Sequence, residues 1–338
     1  MKRLAALLML ACVPVMAGAS ADCIPATPLP LLARIGPGEV HAALLVGGSM
    51  PALRVVDAAS GATLWSADAA AGASQRFAAM TAAFAGSFAA LDTDGDGLPD
   101  RVYAGDLAGR LWRFDLHQGA AADHWASGGI FADFSNELGR GFLAPPDVSL
   151  MAAAGAAPWF DIAVGTAAPG HAGADNRFYV LRDATPFTAW SDQQYRDWQP
   201  LREADLLHVT TAEPAADAVM DAGWFVELGS GDVLTASLTV AGRVVFAVAE
   251  AGAGVLGCRS AFSLATLSLA TTKLPTVAAG NWRRMLDGEQ PLTTSFMLAV
   301  AADSGVATAR CTFGDQHLAD CDVDLRPHRT WWRREDAE

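Results

Sequence analysis

What this sequence lacks removes most of the familiar chemistries. After residue 21 no apolar run is long enough to cross a bilayer as a helix. There are no vicinal cysteines and no Cys-x-x-Cys, so redox and zinc chemistry have no support. No Gly-x-Ser-x-Gly occurs, and Gly229-Ser230-Gly231 reads as a turn. The seven histidines are dispersed, with no His-Glu-x-x-His and no pair four residues apart that a helix could aim at one metal. Positive charge is short as well: 23 Lys and Arg stand against 37 Asp and Glu, a net −14. Such a field repels nucleic acid and anionic lipid and attracts cations.

What is present starts with an export signal. Lys2 and Arg3 precede an apolar run from Leu4 to Val15, and Ala19-Ser20-Ala21 supplies a small-residue cleavage site. The reading is a signal peptide over 1–21, a mature chain from Asp22, and a destination in the periplasm or beyond. Cleavage leaves 21 basic against 37 acidic side chains, a net −16. Cys23, Cys258, Cys311 and Cys321 remain, an even number that fits two disulfides in an oxidising compartment. Three connectivities are open; the short separation of Cys311 and Cys321 suggests one small loop, leaving Cys23 for Cys258.

Residues 22–39, with Pro25, Pro28 and Pro30, read as an extended lead-in. Then the text repeats. HAALLVGG (41–48) leads to LRVVDAASGATLW (53–65), RVYAGD (101–106) to RLWRFDLHQG (110–119), and WFDIAVGT (159–166) to NRFYVLRD (176–183). Each unit is an apolar strand ending at Gly, then an alternating strand ending on Asp57, Asp115 or Asp183, whose side chains can cap the following turn. Spacings this wide mark propeller blades with insertions. Weaker strand patterns follow at 223–250, 258–272, 291–303 and 305–313, and one polar helical patch at about 192–207 reads as an excursion between blades. Many short strands without alternating helices predict an all-β fold, a modified β-propeller with loop insertions over 40–325, followed by a basic, aromatic tail over 326–338. Trp65, Trp112, Trp190 and Trp224 are candidates for packing between radially arranged sheets. The tail cluster from Arg326 to Arg334 can dock on an acidic partner or fold back on the protein's own acidic surface.

The most informative stretch is LDTDGDGLPD (91–100). Asp92, Asp94, Asp96 and Asp100 alternate along it, Gly97 permits a left-handed turn, and the Leu98 carbonyl falls at the seventh ligand position. Calcium takes six to eight oxygens at roughly 2.3–2.6 Å, so a curled acidic loop suits it. Position twelve is Tyr103 where a helical EF-hand needs Glu, and RVYAGD is strand-like, so the loop belongs at a β-hairpin corner. Asp and Gly also dominate ordinary turns, but four carboxylates in nine residues repel one another without a counter-ion.

Assembled, DTDGDGLPDRVYAGDLAGRLWRFDL resembles the calcium-loop blade of the PilC/PilY family, the type IV pilus tip-associated biogenesis factors and adhesins. APPDVSL (144–150), FDIAVGT (160–166), DNRFYVLRD (175–183), ADLLHVT (204–210), GWFVEL (223–228), the Cys258 region and HRTWWRRED (328–336) resemble later segments of its C-terminal propeller in order. The resemblance implies a propeller at the pilus tip in which Ca²⁺ on Asp92, Asp94, Asp96, Leu98 and Asp100 governs pilus extension, retraction and twitching motility. It implies minor pilins or other tip proteins, or a host or abiotic surface, as partners, and localisation at the periplasm, cell surface or pilus tip. The family's large N-terminal half, often von Willebrand A-like, and an integrin-type recognition triplet have no counterpart here. A secreted adhesin or lectin-like propeller with structural calcium is the alternative. Quinoprotein dehydrogenases are propellers too, but they use an adjacent-cysteine ring that this sequence cannot form, so no enzymatic activity is expected.

Overall fold

The computed structural model describes residues 27–325, except 136–138, 154, 169–174, 211–220, 241, 251–258, 270–282, 293, 304–305 and 320–321. The signal segment and the basic tail, and with them Cys23, Cys258 and Cys321, lie outside the described residues. Cys311 is disulfide-bonded; which connectivity holds lies outside them too. The chain divides into two compact units, residues 1–293 and 294–338.

The first unit consists of successive sheets, antiparallel except at two short edge strands. Strands β1 (Leu29–Ala33), β2 (His41–Val46), β3 (Ala52–Asp57), β4 (Thr63–Asp68) and β5 (Gln75–Arg76) form the first in chain order, with β5 parallel to β4. The second holds β6 (Ser87–Leu91), β7 (Arg101–Gly105), β8 (Arg110–Leu116) and β9 (Ala126–Asp133). The third holds β10 (Asp147–Met151), β11 (Trp159–Gly165), β12 (Asn176–Asp183), the two-residue β13 (Leu207–His208) and β14 (Gly223–Gly229), with β13 outermost and parallel to β14. The fourth holds β15 (Leu238–Val240), β16 (Arg243–Ala249), β17 (Arg259–Ser268) and β18 (Arg283–Pro291). The three repeats found in the sequence are the central hairpins β2–β3, β7–β8 and β11–β12.

Strand alternation explains how the sheets stack. Val102, Ala104, Trp112 and Phe114 of the second sheet pack with Leu45, Val55 and Trp65 of the first. The intervening Tyr103 and Leu111 pack the other way, with Ile162, Val164, Tyr179 and Leu181 of the third. Phe178 and Val180 in turn meet Phe246 and Val248 of the fourth, Phe178 stacked on Phe246 at 3.7 Å between centroids. Central strands are therefore covered on both faces, and β7 and β11 are buried at every residue, Arg101 and Asp161 included. Four-stranded meanders stacked face to face are blade-like, and the fold is all-β and propeller-like. Trp65, Trp112, Trp190 and Trp224 are all buried between sheets as expected.

Asp57 and Asp183 cap their turns. Asp57 Oδ1 accepts from the Ser60 hydroxyl and amide, which with His41 lower its pKa to about 2. Asp183 Oδ1 accepts from the Thr185 amide and hydroxyl. Asp115 does not cap; it points into a buried cluster between the second and third sheets. The helical patch contracts to α1 (Asp192–Asp197), capped by Ser191, and a single 3-10 turn at Glu203–Asp205. The second unit contains β19 (Phe296–Asp303), β20 (Val306–Phe313), β21 (Gln316–His317) and β22 (Val323–Leu325), the last pairing with β20. Among the described residues no helix is long and apolar enough to cross a membrane.

Candidate metal centre

The acidic loop joins β6 to β7, at the hairpin corner expected of it. Its neck is closed by backbone bonds: the Asp100 amide donates to the Leu91 carbonyl at 2.8 Å, and the Leu116 amide to the Asp100 carbonyl at 2.7 Å. Gln118 Nε2 adds a bond to the Pro99 carbonyl at 2.7 Å. Beyond the neck the chain turns through Gly95 (φ +82°) and Gly97 (φ +88°), in the left-handed region that glycine enters without strain.

Backbone amides hold the carboxylates in place. Asp92 accepts from the Gly95 amide at 2.7 Å and the Gly97 amide at 2.8 Å. The Gly97 amide is the main reason its carboxyl lies below the usual range; slight desolvation opposes this, and the other loop amides reinforce it. Asp100 Oδ2 accepts from the Thr93 amide at 2.6 Å, the Thr93 hydroxyl at 2.8 Å and the Asp94 amide at 3.2 Å. Thr93 is thus an anchoring residue that the carboxylate spacing did not single out.

One oxygen from each of Asp92, Asp94 and Asp100 lies within 4.8 Å of the others. Ligands on opposite sides of a calcium ion stand roughly 5 Å apart, so this separation suits one hard cation. A carboxylate has about four lone-pair sites, so the amide bonds leave capacity for a metal. Asp96 is not in this trio; its Oδ1 accepts from the Leu98 amide at 2.8 Å. Leu98 is 4% exposed, so its side chain anchors the far end of the loop.

Directly behind the loop lies the buried cluster. Arg101 and Arg113 are 2% and 0% exposed, and Asp115 and Asp183 are 1% each. Strand register pairs Arg101 with Asp115 and Tyr103 with Arg113, placing these side chains on the face toward the third sheet. Arg101 Nε donates to Asp115 at 2.8 Å, Arg113 Nη1 to Asp183 at 2.8 Å, and the Tyr103 hydroxyl to Asp183 at 2.5 Å. Burial foremost, then Asp183, pushes the Tyr103 phenol well above its ordinary value, so it stays a donor. The guanidinium groups also bind the carbonyls of Thr185, Pro186 and Thr188, fixing the segment that leads to α1. Arg113 lies 4.1 Å above the Trp190 ring. Two cations and two anions make the cluster neutral, which is what permits its burial.

No protein-family profile matches the chain. Over 31 residues, 9% of the chain, it is 64% identical to the type IV pilus biogenesis factor PilY1 homolog of Xylella fastidiosa strain Temecula1. The match spans 2% of that relative's length. The structure superposes on the Pseudomonas aeruginosa PilY1 C-terminal domain with a TM-score of 0.56 and 14% identity, over 86% of this chain and 70% of that one. A quinohemoprotein alcohol dehydrogenase from Comamonas testosteroni superposes with a TM-score of 0.35 and 13% identity, over 87% and 43%. In fold, the chain is a PilY1-like C-terminal domain.

Proposed function

We propose that the chain is a non-enzymatic, calcium-binding domain of type IV pilus biogenesis, exported and acting at the cell surface or pilus tip. The observation that carries the metal reading is the convergence of Asp92, Asp94 and Asp100 at a hairpin corner of a PilY1-like fold. Asp96 and the Leu98 carbonyl complete the proposed ligand set. Among the described residues no Arg or Lys side chain pairs with these acids, so a cation is what would offset their repulsion. Bound calcium would fix the corner, and its loss would loosen residues 92–99 and change the surface offered to a minor pilin, another tip protein or a host or abiotic surface.

Affinity typical of extracellular modules, about 10⁻⁴ to 10⁻³ M, is expected. At a hundredfold excess over Kd, binding adds ~2.7 kcal/mol to stability. Melting and calorimetry on wild type and Asp94→Ala, each with calcium and with chelator, test this. Wild type should gain several degrees from calcium and Asp94→Ala little. Equal melting temperatures in all four conditions would refute the metal reading. A deletion strain complemented with the same variant, scored for piliation and twitching, tests the pilus role separately. The hydrogen-bonded neck favours a second reading, a secreted adhesin or lectin-like domain with structural calcium only. Pull-down with minor pilins against a glycan array distinguishes the two.

A further inference from the structure

We infer that the cleft beside β9 is a docking groove for an extended, uncharged polypeptide segment of a partner protein, which pairs with a free backbone edge at Gly128. The cleft has a volume of ≈710 Å³ and is bounded by β5, β9 and α1. β9 is the outer strand of the second sheet, and its outward edge is closed on both sides of this point.

On one side, the Gln75 side chain imitates a strand: its amide nitrogen donates to the Ala126 carbonyl, and its oxygen accepts from the Ala126 amide at 2.8 Å. Ala126 therefore faces away from β8, and by alternation Gly128 does too. On the other side a β-bulge intervenes, register stepping from Trp112–Ile130 to Leu111–Ala132, so Phe131 is an extra residue and the outward positions become Phe131 and Asp133. Both are bonded to Leu201: its amide donates to the Phe131 carbonyl at 3.0 Å, and its carbonyl accepts from the Asp133 amide at 2.9 Å. Gly128 lies between these closures, half-buried; alternation turns its N–H and C=O away from β8, and among the described residues no turn, loop or side-chain group bonds to either.

An outward N–H and C=O on one residue match the C=O and N–H of one residue in an added antiparallel strand. A pyranose offers hydroxyls but no such amide pair. Gly128 and Gly129 have no side chains to obstruct another backbone. Phe77, Tyr195 and Trp198 line the cleft where alternate side chains of a peptide would fall. The Tyr195 hydroxyl is taken by Asp115 at 2.6 Å and Trp198 Nε1 by the Phe131 carbonyl at 3.0 Å, so these rings offer a ligand carbon. At the rim Arg76 and Arg196 offset Asp123 and Asp192, which selects no net charge. The groove does not depend on the metal.

A Cβ at Gly128 would stand 2.3 Å from Phe114 Cδ1, so the peptide rather than the protein carries the perturbation. The full chain labelled with ¹⁵N-glycine is titrated with acetyl-Thr-Val-Thr-Val-Thr-amide. The Gly128 amide should exchange rapidly when free and slow at least about tenfold at saturation, while the same peptide N-methylated at its central residue gives no protection. Slow exchange in the free chain, no protection at millimolar peptide, or equal protection by the N-methylated peptide would each overturn the proposal. So would a response to maltotriose, which carries hydroxyls alone, and not to the peptide.

Discussion

Replacing Asp115 with Asn tests the buried cluster with one change of atom type. Asp115 accepts from Arg101 Nε at 2.8 Å, Arg113 Nη2 at 3.2 Å, the Trp190 amide at 2.9 Å and the Tyr195 hydroxyl at 2.6 Å. The Asn amide group would direct N–H donors at some of these donors, and the cluster would be left with two guanidinium groups against Asp183 alone. Unbalancing a buried ion pair typically costs about 3–5 kcal/mol. For a unit of this size that corresponds to roughly 6–15 °C in melting temperature. Scanning calorimetry of wild type and variant measures it, with Arg196→Gln as an exposed control. Replacing Arg101 by Met and Asp115 by Leu together should cost less than the sum of the two single changes, because the partners' desolvation penalties are removed together. If Asp115→Asn melted within about 1 °C of wild type, the cluster would not be holding the second and third sheets together, and the reasoning would fail.

Two further predictions concern other sites. Gly223 opens β14 at φ +117°, and a Cβ there would stand 2.1 Å from the Val180 carbonyl oxygen, so Gly223→Ala should cost about 2–5 kcal/mol by denaturant unfolding. Burial raises the Asp147 pKa, opposed by bonds from the Thr239 hydroxyl and amide. The folded state then keeps its proton to higher pH than the unfolded chain, so this carboxyl costs no stability below its ordinary value of 3.8 and costs most above the folded-state value. Asp147→Asn should therefore melt higher than wild type at pH 7 and match it at pH 3; a gain that persists at pH 3 would refute the sign.

Local order and the all-β, propeller-like class were legible; individual long-range side-chain contacts were not. The hairpins β2–β3, β7–β8 and β11–β12 showed in the sequence because strand alternation, terminal Gly and turn-forming Asp act within a few residues. The position of the acidic loop at a β corner was legible for the same reason. RVYAGD and RLWRFD gave no sign that Arg101 and Arg113 are buried, because the anion that accompanies Asp115, Asp183, lies 70 to 82 residues away. Asp115 was misread as a turn cap on the same account. Strand β18, RRMLDGEQP, escaped notice because charged residues interrupt its alternation. Pro28 and Pro30 disguised β1, which tolerates proline as an edge strand paired only with β2. The Gln75 bond to Ala126, spanning 51 residues, has no sequence signature at all.

The tied neck of the acidic loop bears on how an ion would come and go. Because Leu91, Asp100 and Leu116 are bonded to one another below the turn, slackening above them need not propagate into the ladder. Asp100 is moreover followed at once by Arg101, whose guanidinium is held in the cluster behind. For an ion held there, emptying and refilling would be a local, repeatable event, like opening a clasp on a rigid frame, and the chain would cycle many times without risking its fold.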